Sequence, residues 1–155
     1  MPDPTPPALE FALELRVNIG PTIDLGQNAS GTRRTVPILG GTFSGPGLSG
    51  QVLAGGADWQ LHTASGLTFV DARYAIETTD GTRIEVRNRG LRHGTAEIMA
   101  RIIRGEPVAP TDYYFRTNPI FSPPDGPYEW LRSSVFIGTA QRYPEQVIVQ
   151  VWKLG

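Results

Sequence analysis

From Leu9 to Ile19 the chain alternates without a break: Leu9, Phe11, Leu13, Leu15, Val17 and Ile19 are apolar, and Glu10, Ala12, Glu14, Arg16 and Asn18 intervene. A period of two puts the large apolar side chains on one face of an extended segment, which predicts a long half-buried strand. Gly20-Pro21 ends it. Residues 27–31 read as a loop, and residues 33–39 as a second strand in which Pro37 marks an edge or a bulge. Next comes a stretch, residues 40–59, that holds seven of the eighteen glycines. It predicts short strands over residues 42–44, 49–54 and 57–62, bent where glycine permits a bulge or a close backbone approach.

The clearest hairpin pairs residues 68–78 with residues 83–88 around Asp80-Gly81, the turn pair favoured where both central residues need positive φ. In its first arm Val70, Ala72, Tyr74 and Ile76 share one face, and Asp71, Arg73 and Glu77 share the other. A single helix is predicted after Thr95, an N-cap residue, with Ile98, Met99, Ile102 and Ile103 on one stripe and Gly105 and Pro107 as stops. Residues 112–117 read as an aromatic strand broken at Asn118-Pro119, residues 121–130 as an ordered loop or lid, and residues 133–140 and 146–154 as a last hairpin. Four prolines within residues 1–8 predict a loosely held, extended tail, so the folded domain is expected over residues 9–155.

Many short strands, tight turns and one small helix predict an all-β fold that must hide its sheet edges. A single antiparallel meander β-barrel, closed or nearly closed, does so and leaves room for a small-ligand cavity; a sandwich is the alternative. With 155 residues the chain suits one core, and the absence of cysteine excludes disulfides, thiolate metal sites and thiol chemistry. A net charge of −1, with one lysine among fourteen basic residues, offers no broad field for a phosphate backbone, so no nucleic-acid partner is expected. No segment has the length of apolar run that spans a membrane, and the first residues lack the pattern of a secretory leader. A cytoplasmic location without membrane association is the expectation. The densest basic region, Arg83, Arg87, Arg89, Arg92, Arg101 and Arg104, reads either as a solvated strand edge and helix face or as a seat for an anionic ligand.

Several segments together carry a resemblance: Gly40-Gly41-Thr42-Phe43-Ser44-Gly45-Pro46, Gly55-Gly56-Ala57-Asp58-Trp59, Asp71-Ala72-Arg73-Tyr74, Thr79-Asp80-Gly81, Tyr113-Tyr114-Phe115-Arg116-Thr117 and Tyr128-Glu129-Trp130-Leu131. This ordered set resembles the uncharacterised UPF0311 family, domain-of-unknown-function family 3237, over residues 9–154. The resemblance implies a single-domain antiparallel β-barrel of bacteria and fungi, with relatives near catabolic or natural-product genes. It implies no settled activity and supplies no agreed catalytic residues.

The chemistry must therefore come from the residues. Gly45-Pro46-Gly47-Leu48-Ser49-Gly50 has the spacing of a dinucleotide fingerprint, with Asp71 beyond it, but no helix follows to receive a pyrophosphate. His62 and His93 are the only histidines and sit in no metal-binding arrangement, and no serine lies in a nucleophile-elbow pattern, so neither a metal nor another cofactor is expected. The candidate catalytic set is Asp58, Asp71 and Arg73. A carboxylate beside an indole would have its pKa raised by desolvation, as a general acid or base requires, and an arginine could orient a carboxylate or stabilise an oxyanion. The bland readings are an Asx turn for Asp58 and a simple ion pair for Asp71 with Arg73.

Trp59, His62, Tyr113, Phe115, Arg116, Tyr128 and Trp130 are the candidate ligand-binding residues, their flat rings suiting an aromatic or apolar acid. Tyr113 and Phe115 oppose Tyr114 and Arg116, so one pair alone can face inward; as barrel core they would need no ligand. A slip of one residue would likewise exchange Asp71 and Arg73 with Val70, Ala72 and Tyr74. The leading reading is a cofactor-free acid/base enzyme, an isomerase, cyclase, hydratase or lyase acting on an aromatic or enone-like metabolite. The alternative is a noncatalytic carrier or sensor barrel for an apolar carboxylic acid, and a homodimer is compatible with either.

Overall fold

The alternation of residues 9–19 becomes strand β1 (Leu9–Ile19), with Leu13, Leu15, Val17 and Ile19 buried. The computed structural model describes residues 1–155 and follows it with β2 (Ile23–Asn28), β3 (Gly31–Ser44), β4 (Ser49–Val52), β5 (Ala57–His62), β6 (Leu67–Thr78) and β7 (Arg83–His93). Helix α1 (Ala96–Ile103) precedes β8 (Tyr114–Ser122), β9 (Phe136–Arg142) and β10 (Gln146–Leu154). Residues 1–8 have no regular structure and are exposed, although the Ala8 carbonyl accepts a bond of 2.8 Å from Gly155 N.

All the pairings are antiparallel, and they close a circle of eight strand positions. From β6 the meander runs through β7, β8, β9 and β10 to β1, and β1 pairs with β3 to shut the barrel. Closure removes the open edges that an antiparallel sheet would otherwise expose. The eighth position, between β3 and β6, is shared. β4 fills one end of it and β5 the other. The interruption falls at residues 53–56, where a Cβ on Gly56 would overlap the Arg73 carbonyl and Tyr74, so only glycine lets the chain pass this close to β6. β2 folds back on the first half of β3 as an exposed arm.

Four sequence expectations need correction. Residues 33–39 and 42–44 are one strand, β3, because Gly40 and Gly41 take positive φ and bend it without ending it; a Cβ on Gly41 would overlap the Arg16 carbonyl. The register slips here, with Asn18 opposite Gly40 and Ile19 opposite Ile38, so the bulge lies at Leu39 rather than Pro37. β7 does not stop at Asn88 but runs to His93, and β8 passes straight through Pro119. Beyond Thr117 that strand has lost its pairing with β9 and keeps only β7, an edge setting in which proline's missing amide is tolerated.

The two ends of the barrel are filled differently. Leu13, Ile76, Ile84, Phe121, Leu131 and Phe136 pack one end solid. α1 lies against the other. Thr95 Oγ1 caps it by accepting from Ile98 N at 3.2 Å, and Met99 and Ile102 are buried.

Candidate functional site

Beneath α1 the interior is a cavity of about 50 Å³. Inward-facing positions on seven strands build it: Val17 and Ile19 of β1, Val36 and Ile38 of β3, Asp58 and Gln60 of β5, Val70, Ala72 and Tyr74 of β6, Asn88 and Arg92 of β7, Phe115 and Thr117 of β8, and Ala140 and Arg142 of β9. Val147 and Val149 of β10 complete the wall. Small or branched side chains leave the space, and a few polar groups converge on it, the usual composition of a small-ligand site. A second space of about 50 Å³ lies between this cavity and α1 and shares Gln60, Arg92 and Arg142 with it, adding Arg34, Ile102 and Ile103.

Asp58 is the one carboxylate in the cavity wall. Its Oδ2 accepts from Gln60 Nε2 at 2.8 Å and its Oδ1 from the Asp71 backbone N–H at 2.9 Å. Burial pushes its pKa up, and those two hydrogen bonds, together with the charge of Arg92, offset only part of the rise. The same carboxylate, after burial itself, holds the Tyr74 phenol far above its ordinary value.

Arg92 faces the cavity at 3% exposure, stacked over the Phe115 ring at 5.3 Å, and its Nε has no partner. Burial lowers its pKa to about 10, with further contributions from Arg142 and Arg34 against the opposing pull of Asp58. Asn88 Oδ1 and Thr117 Oγ1, on the same wall, are also buried without partners. A native core leaves few polar atoms unsatisfied, so this concentration marks the cavity as a place prepared for something polar.

His62 sits at the rim. Its Nε2 lies 3.3 Å from an Arg34 amino group and its Nδ1 2.7 Å from Thr68 Oγ1. Because a guanidinium only donates, Nε2 must accept, and the proton belongs on Nδ1 toward Thr68. Burial, then Arg34 and Arg92, lower the ring's pKa to about 4, so the imidazole is neutral near pH 7 and serves to hold Arg34.

The sequence candidates separate cleanly by strand face. Asp58, Phe115 and the half-inserted His62 belong to this end of the barrel. Tyr113 is buried beside it, its hydroxyl oxygen accepting from Arg142 N at 2.8 Å. The other candidates lie elsewhere. Asp71 points outward to Arg87 at 3.1 Å and Arg89 at 3.6 Å, and only its backbone N–H reaches Asp58. Arg73 is outside as well, paired with Glu85 at 2.9 Å rather than with Asp71. Trp59 is 56% exposed on the outer wall, and Arg116 lies over the Tyr114 ring there. Tyr128 and Trp130 are at the opposite, solid end, where the Tyr128 hydroxyl donates to Asp80 at 3.1 Å and Trp130 packs on Phe136. Residues 121–130 therefore cover the plug and form no lid over the cavity.

Arg142, Arg34 and Asn88 are not among the sequence candidates, and Arg92 is there only as one member of the basic region that reads as a solvated face or an anion seat. Within the basic region, strand parity sorts them: Arg83, Arg87 and Arg89 face out to Glu77 and Asp71, Arg101 and Arg104 meet Glu106, and Arg92 alone turns inward. The signal was present, since Ile84, Val86, Asn88 and Arg92 share parity once the strand is continued past Asn88. Gly45-Pro46-Gly47-Leu48-Ser49-Gly50 is the β3–β4 turn and leads into a strand. No cluster of three or more His, Cys, Asp or Glu side chains could hold a metal, and no helix is long and apolar enough to cross a membrane.

Comparison with known proteins agrees with this architecture. A family model described as a protein of unknown function, DUF3237, matches residues 7–154. A UPF0311 protein of Rhodopseudomonas palustris is 41% identical over 147 residues, covering 94% of this chain and 96% of that protein. The crystal structure of a conserved protein of unknown function from the same organism superposes with a TM-score of 0.95 at 38% identity, covering 99% of this chain and 100% of the other. A hydroalkoxylation enzyme of Penicillium herquei is 35% identical over 83 residues, 54% of this chain and 55% of that enzyme.

Proposed function

The chain belongs to the UPF0311 (DUF3237) family, and on that premise we propose that its cavity is a small-molecule site where Asp58 transfers protons, as in a cofactor-independent isomerase, cyclase, hydratase or lyase acting on an aromatic or enone-like metabolite. The observation that carries the reading is the lone cavity carboxylate, hydrogen-bonded by Gln60 and the Asp71 amide, in the same wall as a buried guanidinium that has no partner of its own. Gln60 and the amide fix the carboxylate's orientation. Each oxygen keeps a lone pair free for a ligand proton.

Hydroalkoxylation, the activity in the name of the Penicillium relative, adds an alcohol O–H across a carbon–carbon multiple bond. On an enone such a step needs no redox partner. Asp58 removes the hydroxyl proton as the oxygen bonds to the β-carbon, the π electrons shift to the carbonyl oxygen, and the proton returns from Asp58 to the α-carbon. Arg92 is placed to stabilise the enolate oxygen that develops between those transfers. The carrier reading also gains an anchor, since Arg92 can hold an acid whereas Arg73 and Arg116 face away.

The test is turnover of a panel of o-hydroxyaryl enones and their ring-closed isomers, followed by enone absorbance. Asp58→Asn should lower the rate by roughly 10²–10⁴-fold with the fold intact. Equal rates for that variant and the native chain would remove the acid/base role, and an unchanged ligand retained in native mass spectrometry would favour the carrier.

A further inference from the structure

Each arginine that forms an ion pair does so on the exposed surface of the barrel. Arg34, Arg92 and Arg142 form none, and they converge at the junction of the two contiguous cavities. Arg92 and Arg142 therefore share a wall with one carboxylate, Asp58, while Arg34 lies in the adjoining space, and Asp58 is hydrogen-bonded to Gln60 and the Asp71 amide rather than to any of them. A buried charge without a partner is costly, and proteins retain such an arrangement where a ligand supplies the missing charge.

We infer that this junction is a carboxylate seat: the cavity takes an aryl or enoyl acid as its monoanion, with the carboxylate on Arg92 and the ring or chain against Val36, Val70, Phe115 and Val149. This rests on the reading of the cavity as a ligand site and names the class of ligand, but it does not depend on proton transfer by Asp58. Three features of the seat support it. First, Arg92 stacks over the Phe115 ring at 5.3 Å and its Nε has no partner, and its fork of N–H donors matches a carboxylate's two oxygens. Second, Arg34 is oriented by a neutral His62 and Arg142 by the Tyr143 carbonyl at 2.8 Å, so both flanking cations are positioned while keeping donors to spare. Third, the shape is amphipathic. The space under α1 carries the cations, and the deeper space carries the apolar wall.

A neutral ligand of the same shape would leave the guanidiniums as they are, so the seat should discriminate by charge more than by size. The experiment is calorimetric titration of the full chain with trans-cinnamate and with cinnamamide, its neutral counterpart, at pH 7.5. Cinnamate should bind at least tenfold more tightly than cinnamamide. Arg92→Gln should remove most of that preference, and Arg116→Gln on the outer wall should keep it. Equal affinities for acid and amide, no binding of cinnamate by the native chain, or an unchanged preference in Arg92→Gln would each overturn the seat. If Arg92→Gln fails to fold, Arg142→Gln carries the same expectation in weaker form, and the acid–amide comparison on the native chain stands regardless.

Asp58→Asn separates this inference from the acid/base reading. Removing a carboxylate beside an anion should leave cinnamate affinity unchanged or higher. Binding preserved without any enone turnover by the native chain would sink the enzyme and keep the seat, while turnover lost in Asp58→Asn without acid–amide discrimination would do the reverse.

Discussion

The two ends of this barrel are made from the same strands and differ only in what their inward positions carry. On β6, Ile76 serves the plug and Val70, Ala72 and Tyr74 the cavity; on β7, Ile84 and Val86 serve the plug and Asn88 and Arg92 the cavity. At the plug, Phe121 and Phe136 meet edge to face at 5.3 Å, and the buried Thr78 hydroxyl is satisfied by donating to Asp80. At the cavity, partnerless Arg92 Nε, Asn88 Oδ1 and Thr117 Oγ1 stand among small aliphatic groups. One end concentrates the packing that holds the barrel shut, and that surplus permits the other to keep open space and unpaired charge, each of which lowers stability.

The contrast is sharpest in what truncation does at the plug. Phe136→Ala should cost about 3–5 kcal/mol in urea unfolding, because a ring that is 1% exposed leaves a void the surrounding rings cannot refill. Val149→Ala on the cavity wall should cost much less, since the space there is already open. Equal losses at the two positions would mean that the ends are not mechanically distinct.

Arg92 should behave in the opposite sense. Arg92→Met replaces an unpartnered buried cation with a flexible apolar side chain of similar length, and unfolding free energy should rise by about 1–3 kcal/mol. The same variant should lose the preference for an acid over its amide. A fall in stability would show that the guanidinium is satisfied within the fold, and the division between a stabilising end and a functional end would fail at its centre.

How much of this was readable beforehand follows the same division. β1, the hairpin at Asp80-Gly81 and α1 are legible because alternation, a glycine turn and a Thr95 cap are local signals, although Gly81 alone takes positive φ where the turn pair predicts it for both residues. β3 was read as two strands because glycines that bend a barrel wall look, in one dimension, like the ends of strands. At the site, Asp58 is legible through its glycine-rich approach, but a cavity position for Asp71 and Arg73 runs against their own pattern. Their strand places Val70, Ala72 and Tyr74 on one face, and the apolar face is the one that turns inward. Arg92 was hidden by strand length. Only when β7 is continued through Gly90, where pairing with β8 leaves no room for a Cβ, does its parity with Ile84 and Val86 become visible. Convergence of Arg34, Arg92 and Arg142 from three strands depends on closure, which no local pattern encodes.

The smallest effect comes from the rim and concerns pH. His62 has a pKa of about 4 in the fold against 6.5 for the free ring, because burial and the charges of Arg34 and Arg92 disfavour its protonated form. Above pH 6.5 the ring is neutral whether the chain is folded or not, and the stability that depends on its neutrality is fully present. As pH falls below 6.5 the unfolded chain takes up a proton that the folded chain refuses, so stability is lost progressively until the folded ring protonates near pH 4. With about half the ring open to solvent, the loss should be on the order of 1–2 kcal/mol. His62→Gln should lack it, so a pH-dependent difference between that variant and the native chain should open when both are melted across that range. Because the two chains share every other titratable group, that difference reports on the cavity rim; a His62→Gln variant that tracks the native chain at every pH would mean that the imidazole is not held neutral against Arg34.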